Sequence, residues 1–159
     1  MSDTEVTGPD LVDEGIPIDS LDDDTPVKGQ VDGRQVIVVR TGSGLCAVAG
    51  HCSHYGGPLG DGLCVDGRVH CPWHHAIFDL MTGEAVGAPA LNNLKVYQPT
   101  ERDGRVFVTG PVDAPIPDRQ PPATPESVVI VGSGAAGATA AETLRRFGYT
   151  GSVSMIGLE

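Results

Sequence analysis

The chain has 159 residues, enough for one ordinary domain or one small domain and a further piece, and its 40% hydrophobic content is that of a globular protein. Ten basic residues against 21 acidic ones leave a formal net charge of −11, which excludes charge-driven binding to nucleic acid or to an anionic membrane. Aromatic residues are only 4% while Gly 22 and Pro 13 are numerous, so the core must be aliphatic and the architecture loop-rich and mainly β. No apolar run reaches membrane-spanning length. The acidic start, Met1-Ser2-Asp3-Thr4-Glu5, lacks the basic-then-apolar layout of a secretory signal, and a cytoplasmic location is expected.

Residues 1–24 carry nine acidic residues and no Lys or Arg. Such a run stays solvated, so residues 1–14 are expected to form a disordered tail. Ile16 and Ile18 suggest an early edge strand, and Ser20 is placed to cap a helical turn over 20–24. Strand signals then follow closely: 26–31, the β-branched run within 34–41, 45–49, 63–65, 68–70, 76–80, 94–98 and 105–109. Asp32-Gly33, Asp66-Gly67 and Asp103-Gly104 are hairpin turn signals. Many short strands with close turns argue an antiparallel sandwich or barrel over residues 15–110. Arg34, Arg68 and Arg105 at the hairpin ends read as solvated charges.

Residues 110–125 contain six prolines in sixteen positions, so 111–125 reads as a stiff linker. Beyond it the pattern changes. Ser127–Val131 is a continuous apolar strand, and Gly132-Ser133-Gly134-Ala135-Ala136-Gly137 completes a G-x-G-x-x-G loop. A helix is expected over 138–147 with Gly148 as its stop, then a second strand over 152–156. A strand before the glycines, and a helix and second strand after them, is the context a dinucleotide fingerprint requires. Gly132, Gly134 and Gly137 are the candidate pyrophosphate contacts, and Glu159 is a candidate ribose ligand unless Leu158-Glu159 is a cloning scar. The bland alternative is a Gly-rich turn in an ordinary βαβ unit. Residues 126–159 are expected to be the first βαβ unit of an incomplete FAD-binding domain.

The stretch with most chemistry lies earlier. Cys52-Ser53-His54 is followed, after sixteen residues, by Cys71-Pro72-Trp73-His74. Each half offers one thiolate and one imidazole on a loop. Two iron ions sharing two sulfides need two protein donors each, and the loops supply that set. Zinc is the competing metal, but neither C-x2-4-C nor H-x3-5-H spacing occurs. Disulfides are the other alternative; Cys46 and Cys64, however, sit in strand-like apolar runs where a small buried hydrophobe is the plain reading. His51, His70 and His75 are not assigned as ligands and are expected to be solvated, and the only Trp, Trp73, either shields the site or simply packs.

The pairing C-x-H then C-x-x-H resembles the Rieske [2Fe–2S] family, whose centres carry two histidines on one iron. With the glycine loop, the chain resembles a Rieske ferredoxin domain fused to a ferredoxin-reductase-like flavoprotein of the apoptosis-inducing-factor-like group. That resemblance implies metal ligands Cys52, His54, Cys71 and His74, an FAD cofactor, and NAD(P)H as electron source in a following part. It implies an electron carrier here, with no catalytic residue, within an NAD(P)H-dependent FAD oxidoreductase. The partner is then its own flavoprotein domain or a separate redox protein. The competing reading is a stand-alone Rieske ferredoxin of an aromatic-ring oxygenase or nitrite reductase system. High-potential members carry an extra Cys in each loop and Ser and Tyr hydroxyls near the sulfurs. Here Gly57 and Trp73, and Ala76 and Phe78, stand at those positions, so the resemblance implies a low-potential centre.

Overall fold

A computed structural model describes residues 6–113 and 125–157. The chain divides into two compact units, Met1–Ile116 and Pro117–Glu159. The first unit is built from two antiparallel sheets. The larger has six strands in the order β1 (Ile16–Pro17), β10 (Arg105–Val112), β9 (Val96–Arg102), β4 (Gly44–Ala49), β3 (Arg34–Thr41) and β2 (Val27–Val31). The smaller has four in sequence order, β5 (Leu63–Val65), β6 (Arg68–His70), β7 (Ile77–Asp79) and β8 (Ala85–Gly87).

The β-branched run of β3 explains the layering. Side chains alternate across a strand. Ile37 and Val39 pack into the core shared with Leu59, Val69, Phe78 and Leu80 of the smaller sheet and its loops. Val36 and Val38 point the other way, into a core with Val31, Tyr97, Val106 and Val108. Both faces of β3 are buried, so the run shows no polar alternation. Val31 of the edge strand β2 shares that second core with Val106 and Val108 of β10, the strand next to the opposite edge, which requires the sheet to curl.

The N-terminal segment lies between β2 and β10, and here the expected disordered tail is corrected in part: residues 1–5 of it lie outside the described residues, while Leu11 within it is tied to both strands. The Leu11 amide donates to the Gln30 carbonyl at 2.8 Å, and the Val108 amide donates to the Leu11 carbonyl at 2.9 Å, so Leu11 bridges β2 and β10. Its side chain is fully buried. Gly29 leaves it room: a Cβ there would stand 2.6 Å from Leu11. Acidic neighbours hide this single apolar anchor in the sequence. Arg105 is likewise not a free charge; its guanidinium donates to the carbonyls of Glu14 and Gly15 and ties the same segment down.

Three smaller corrections follow. The helical turn is a 3-10 turn at Ile18–Ser20, two residues earlier than expected, and the Ser20 hydroxyl closes it by donating to the Pro17 carbonyl instead of capping its start. Strand β8 carried no sequence signal. Strand β10 runs on to Val112, paired with Val96 after an irregularity, so the first residues of the expected linker are strand. Residues 114–124 of that linker lie outside the described residues. The Asp-Gly turns form as expected: Asp32, Asp66 and Asp103 and the glycines after them all take positive φ, the two-residue hairpin geometry that matches strand twist.

The second unit pairs β11 (Ser127–Val131) with β12 (Ser152–Ile156) in parallel, with helix α1 (Ala135–Arg146) between them in sequence. The helix begins three residues before the expected start, because Gly134 ends the loop and Ala135-Ala136 are already helical. Gly148 has φ +80° and stops it. Among the described residues, no helix is long and apolar enough to cross a membrane.

Candidate metal centre

The two Cys/His loops have the same backbone build. In the first, the Cys52 amide donates to the carbonyl five residues on, Gly57, at 2.8 Å, and its carbonyl accepts from the amide four residues on, Gly56, at 2.9 Å. In the second, the Cys71 amide donates to Ala76 at 2.8 Å and its carbonyl accepts from His75 at 3.1 Å. The offsets are identical. The residue at the fourth place takes positive φ in both: Gly56 at +74° and His75 at +59°. His75 therefore has a conformational task that its expected solvation alone does not describe, though its side chain is exposed. The first loop leaves β4 and is clasped at its base, where the Leu59 amide donates to the Gly50 carbonyl at 2.9 Å. The second loop joins β6 to β7.

The four residues implied by the resemblance sort by chemistry. Cys52 and Cys71 are buried, 5% and 2% exposed, in the core between the sheets. His54 is half-buried and His74 exposed, with ring centroids 5.0 Å apart and near-perpendicular planes. The two loops thus bring two thiols to the inside and two imidazoles to the outside. Tyr55, which sequence reasoning passed over, packs its ring on both, 4.2 Å from His54 and 5.9 Å from His74. Its adjacency to His54 was the only signal available.

The residues fit an iron–sulfur group on three observations. The His54 Nδ1 atom is buried with no hydrogen-bond partner, a nitrogen withdrawn from water as a ligand nitrogen must be. Gly57 lies so close to Cys71 that a Cβ would stand 2.7 Å from its Sγ, so backbone approaches the sulfur where a side chain would block it. The donor set is two thiols and two imidazoles, two donors per iron. Among the described residues no three His, Cys, Asp or Glu side chains converge on a single-ion site; a two-iron group asks for pairs instead.

Electrostatics at the thiols follow burial. Burial raises the Cys52 pKa, the neighbouring Cys71 thiol raises it further, and the backbone amides of His54 and Tyr55 at its sulfur work the other way. Cys46 and Cys64 are buried hydrophobes of the same core; burial pushes both up, Cys64 to about 11. His70 is half-buried in β6. His51 is half-buried, paired with Pro58, and its pKa is lowered by burial. Trp73 is 55% exposed, with its ring beside Gly57, and is no part of the core.

Ala76 and Phe78 are both fully buried in the core that holds the two thiols. In the second unit, Gly132 has φ +114°. A Cβ on Gly137 would collide with the Gly132 carbonyl oxygen, so only glycine lets the helix approach the strand this closely. Gly134 is the helix N-cap and offers no side-chain cap. A hollow beside these glycines is lined by Val131, Gly132, Ser133, Gly134, Ile156 and Gly157. Glu159 lies outside the described residues.

Comparison with known proteins agrees with this reading of the first unit. Human apoptosis-inducing factor 3 is 34% identical over 137 residues, 79% of this chain but 23% of that protein; the chain thus spans under a quarter of that relative's length. The ferredoxin subunit of anthranilate 1,2-dioxygenase from Burkholderia cepacia is 34% identical over 91 residues, covering 57% of this chain and 84% of the subunit. Among solved structures, the ferredoxin of carbazole 1,9a-dioxygenase from Nocardioides aromaticivorans IC177 superposes with a TM-score of 0.57 at 28% identity, covering 60% of this chain and 93% of that one. The Rieske [2Fe–2S] domain model matches residues 15–98, the span that holds both loops, and the chain belongs to that family.

Proposed function

We propose that Cys52, His54, Cys71 and His74 hold a [2Fe–2S] cluster and that the chain carries electrons at low potential between a flavoprotein and an acceptor. One-electron uptake and release is the chemistry such a group supplies when bound. The observation that carries the ligand assignment is the pair of matched loops, each presenting one buried thiol and one outer imidazole, with His54 Nδ1 withdrawn and unpartnered. Cys52 and Cys71 supply two thiolates from the dry interior. His54 and His74 supply neutral imidazoles at the protein surface, where a partner makes contact. Tyr55 keeps both rings oriented. The amides of His54 and Tyr55 direct N–H dipoles toward the Cys52 sulfur.

The low potential rests on what is missing near the sulfurs. Hydrogen bonds to sulfur stabilise the more negative reduced form and raise the potential. Ala76 and Phe78 bring no hydroxyl to the second loop. A midpoint near the low end of the Rieske range, about −150 mV, follows, and Ala76→Ser raises it if the new hydroxyl reaches a sulfur. A midpoint above about +100 mV would refute the reading.

For the second unit we propose the pyrophosphate-binding start of an FAD domain, with Gly132, Gly134 and Gly137 around the helix N-terminus; NAD(P)H then serves as electron source for the whole protein. A stand-alone ferredoxin is the alternative. It is favoured by the near-complete coverage of the dioxygenase ferredoxins, 93% of the Nocardioides chain, whereas the similarity to apoptosis-inducing factor 3 over 79% of this chain favours the flavoprotein reading.

Alanine substitutions test the ligand set. Replacing any one of Cys52, His54, Cys71 or His74 abolishes the Rieske-type EPR signal of the reduced protein, and Cys46→Ser and Cys64→Ser retain it. A signal that survives Cys71→Ala overturns the assignment.

A further inference from the structure

With 21 acidic residues against 10 basic ones, most cations of the chain are held. Lys28 pairs with Asp61 and Arg146 with Glu142. Arg40, Arg105 and Arg145 donate to backbone carbonyls, and Arg102 lies over the Phe107 ring. Among the described residues, three cationic side chains have no such commitment: Arg34, Lys95 and Arg68. Two of the three, Arg34 and Lys95, line one cavity of about 550 Å³.

The fold explains why they meet. Strand β3 begins at Arg34, β4 ends at Ala49, and Lys95 immediately precedes β9. The Gly50 amide donates to the Gln35 carbonyl at 2.8 Å and the Ala49 amide to the Lys95 carbonyl at 2.9 Å. All three strand ends therefore sit together, and the first Cys/His loop leaves from the same place. His51 and Ser53, on either side of Cys52, complete the wall with Asn93.

The remaining polar groups suit an anion. Among the described residues no Asp or Glu lines the cavity; Asp32, which precedes its Gly33, is exposed on the turn, and Glu5, which precedes its Val6, lies outside the described residues. The Asn93 carbonyl oxygen already accepts from the Ala85 amide, which leaves its NH2 to donate. Tyr97, 3% exposed, also lines the cavity. The cavity also has the size of a small-molecule site, about 300–1,000 Å³. A guanidinium takes a carboxylate or phosphate through two parallel hydrogen bonds, and an ammonium adds a point charge.

We propose that this cavity is a binding site for a small carboxylate- or phosphate-bearing anion, held by Arg34 and Lys95. The chain's overall charge repels anions, so saturable binding has to come from this local arrangement. The site lies against the first loop but does not depend on what that loop holds.

The test is a titration of the whole 15N-labelled chain with inorganic phosphate, and separately with citrate, at fixed pH and ionic strength. Backbone amide shifts at Arg34 and Lys95 are followed. The proposal expects saturation at both amides with one Kd for at least one of the two probes. R34Q/K95Q weakens that Kd at least tenfold, and R68Q, which alters the uncommitted cation outside the cavity, leaves it unchanged. Shifts that grow without saturating for both probes overturn it, as does an unaltered Kd in R34Q/K95Q. If the double variant does not fold, K95Q alone, an exposed side chain outside any strand, gives the same comparison with at least a threefold weakening. EPR on the same samples separates the two readings: a missing cluster signal with intact anion binding refutes the ligand assignment and leaves this site standing.

Discussion

Gly57→Ala measures how closely the two Cys/His loops are fitted to each other. The added Cβ would stand 2.7 Å from Cys71 Sγ and 3.2 Å from the Trp73 ring. Ordinary contact lies at about 3.5–4.0 Å, so the sulfur contact overlaps by roughly 1 Å. Trp73 is half-exposed and can swing away. Cys71 is buried and its amide is bonded to Ala76 at 2.8 Å, so relief requires one loop to move off the other. Gly57 does not have a positive φ, so alanine brings no backbone strain and the effect is steric. Overpacking of this kind costs about 1–3 kcal/mol. For a domain near 100 residues each kcal/mol moves the melting midpoint by about 4–8 °C, which sets the expected fall at about 4 °C or more. The purified variant is also expected to hold substoichiometric iron and sulfide. Gly42→Ala is the control, since a Cβ there meets nothing within 4 Å. A Gly57→Ala protein with full iron content and an unchanged midpoint would refute the close fit of the loops.

Three further outcomes are expected. His75→Gly keeps the cluster and raises stability by about 1 kcal/mol in denaturant titration, because a non-glycine residue at φ +59° is strained and its counterpart in the first loop is Gly56. Leu11→Ala lowers stability by about 2–5 kcal/mol, the cost of emptying a fully buried leucine site; a loss under about 0.5 kcal/mol would mean that the N-terminal strap does not close the sheet. Cys64 titrates at about 11 against an ordinary 9.0, through burial and then the charge of Asp24. The folded chain holds that proton more tightly than the unfolded one, so its contribution to stability is full below about pH 9 and lost as the pH rises towards 11. Cys64→Ala is expected to flatten the decline in stability across that window in denaturant melts.

The sequence made the sheet legible where local chemistry decides structure. Asp-Gly pairs at 32–33, 66–67 and 103–104 specify turns that only particular residues adopt, and β-branched runs between them have few other fates. The Cys/His spacing was legible because metal chemistry restricts it. What stayed hidden depends on distant partners. Leu11 looks like one apolar residue in an acidic tail until Gly29, Gln30 and Val108 surround it. Strand β8 has one β-branched residue and forms because β7 offers it an edge. The place of Gly57 against Cys71, and of Tyr55 over two imidazoles, arises from two loops meeting across the fold. The meeting of Arg34 with Lys95 has the same origin: strand ends at or next to Arg34, Ala49 and Lys95 that are distant in the chain come together in the sheet.

The most direct test of the central claim is pulsed EPR on the reduced protein, reading hyperfine coupling from ligand nitrogen. Holding the cluster by Cys52, His54, Cys71 and His74 predicts couplings from two inequivalent imidazole nitrogens in the unaltered protein, and no Rieske-type signal at all in His74→Ala. A cluster signal with no nitrogen coupling, or a colourless protein holding zinc in place of iron, would contradict it.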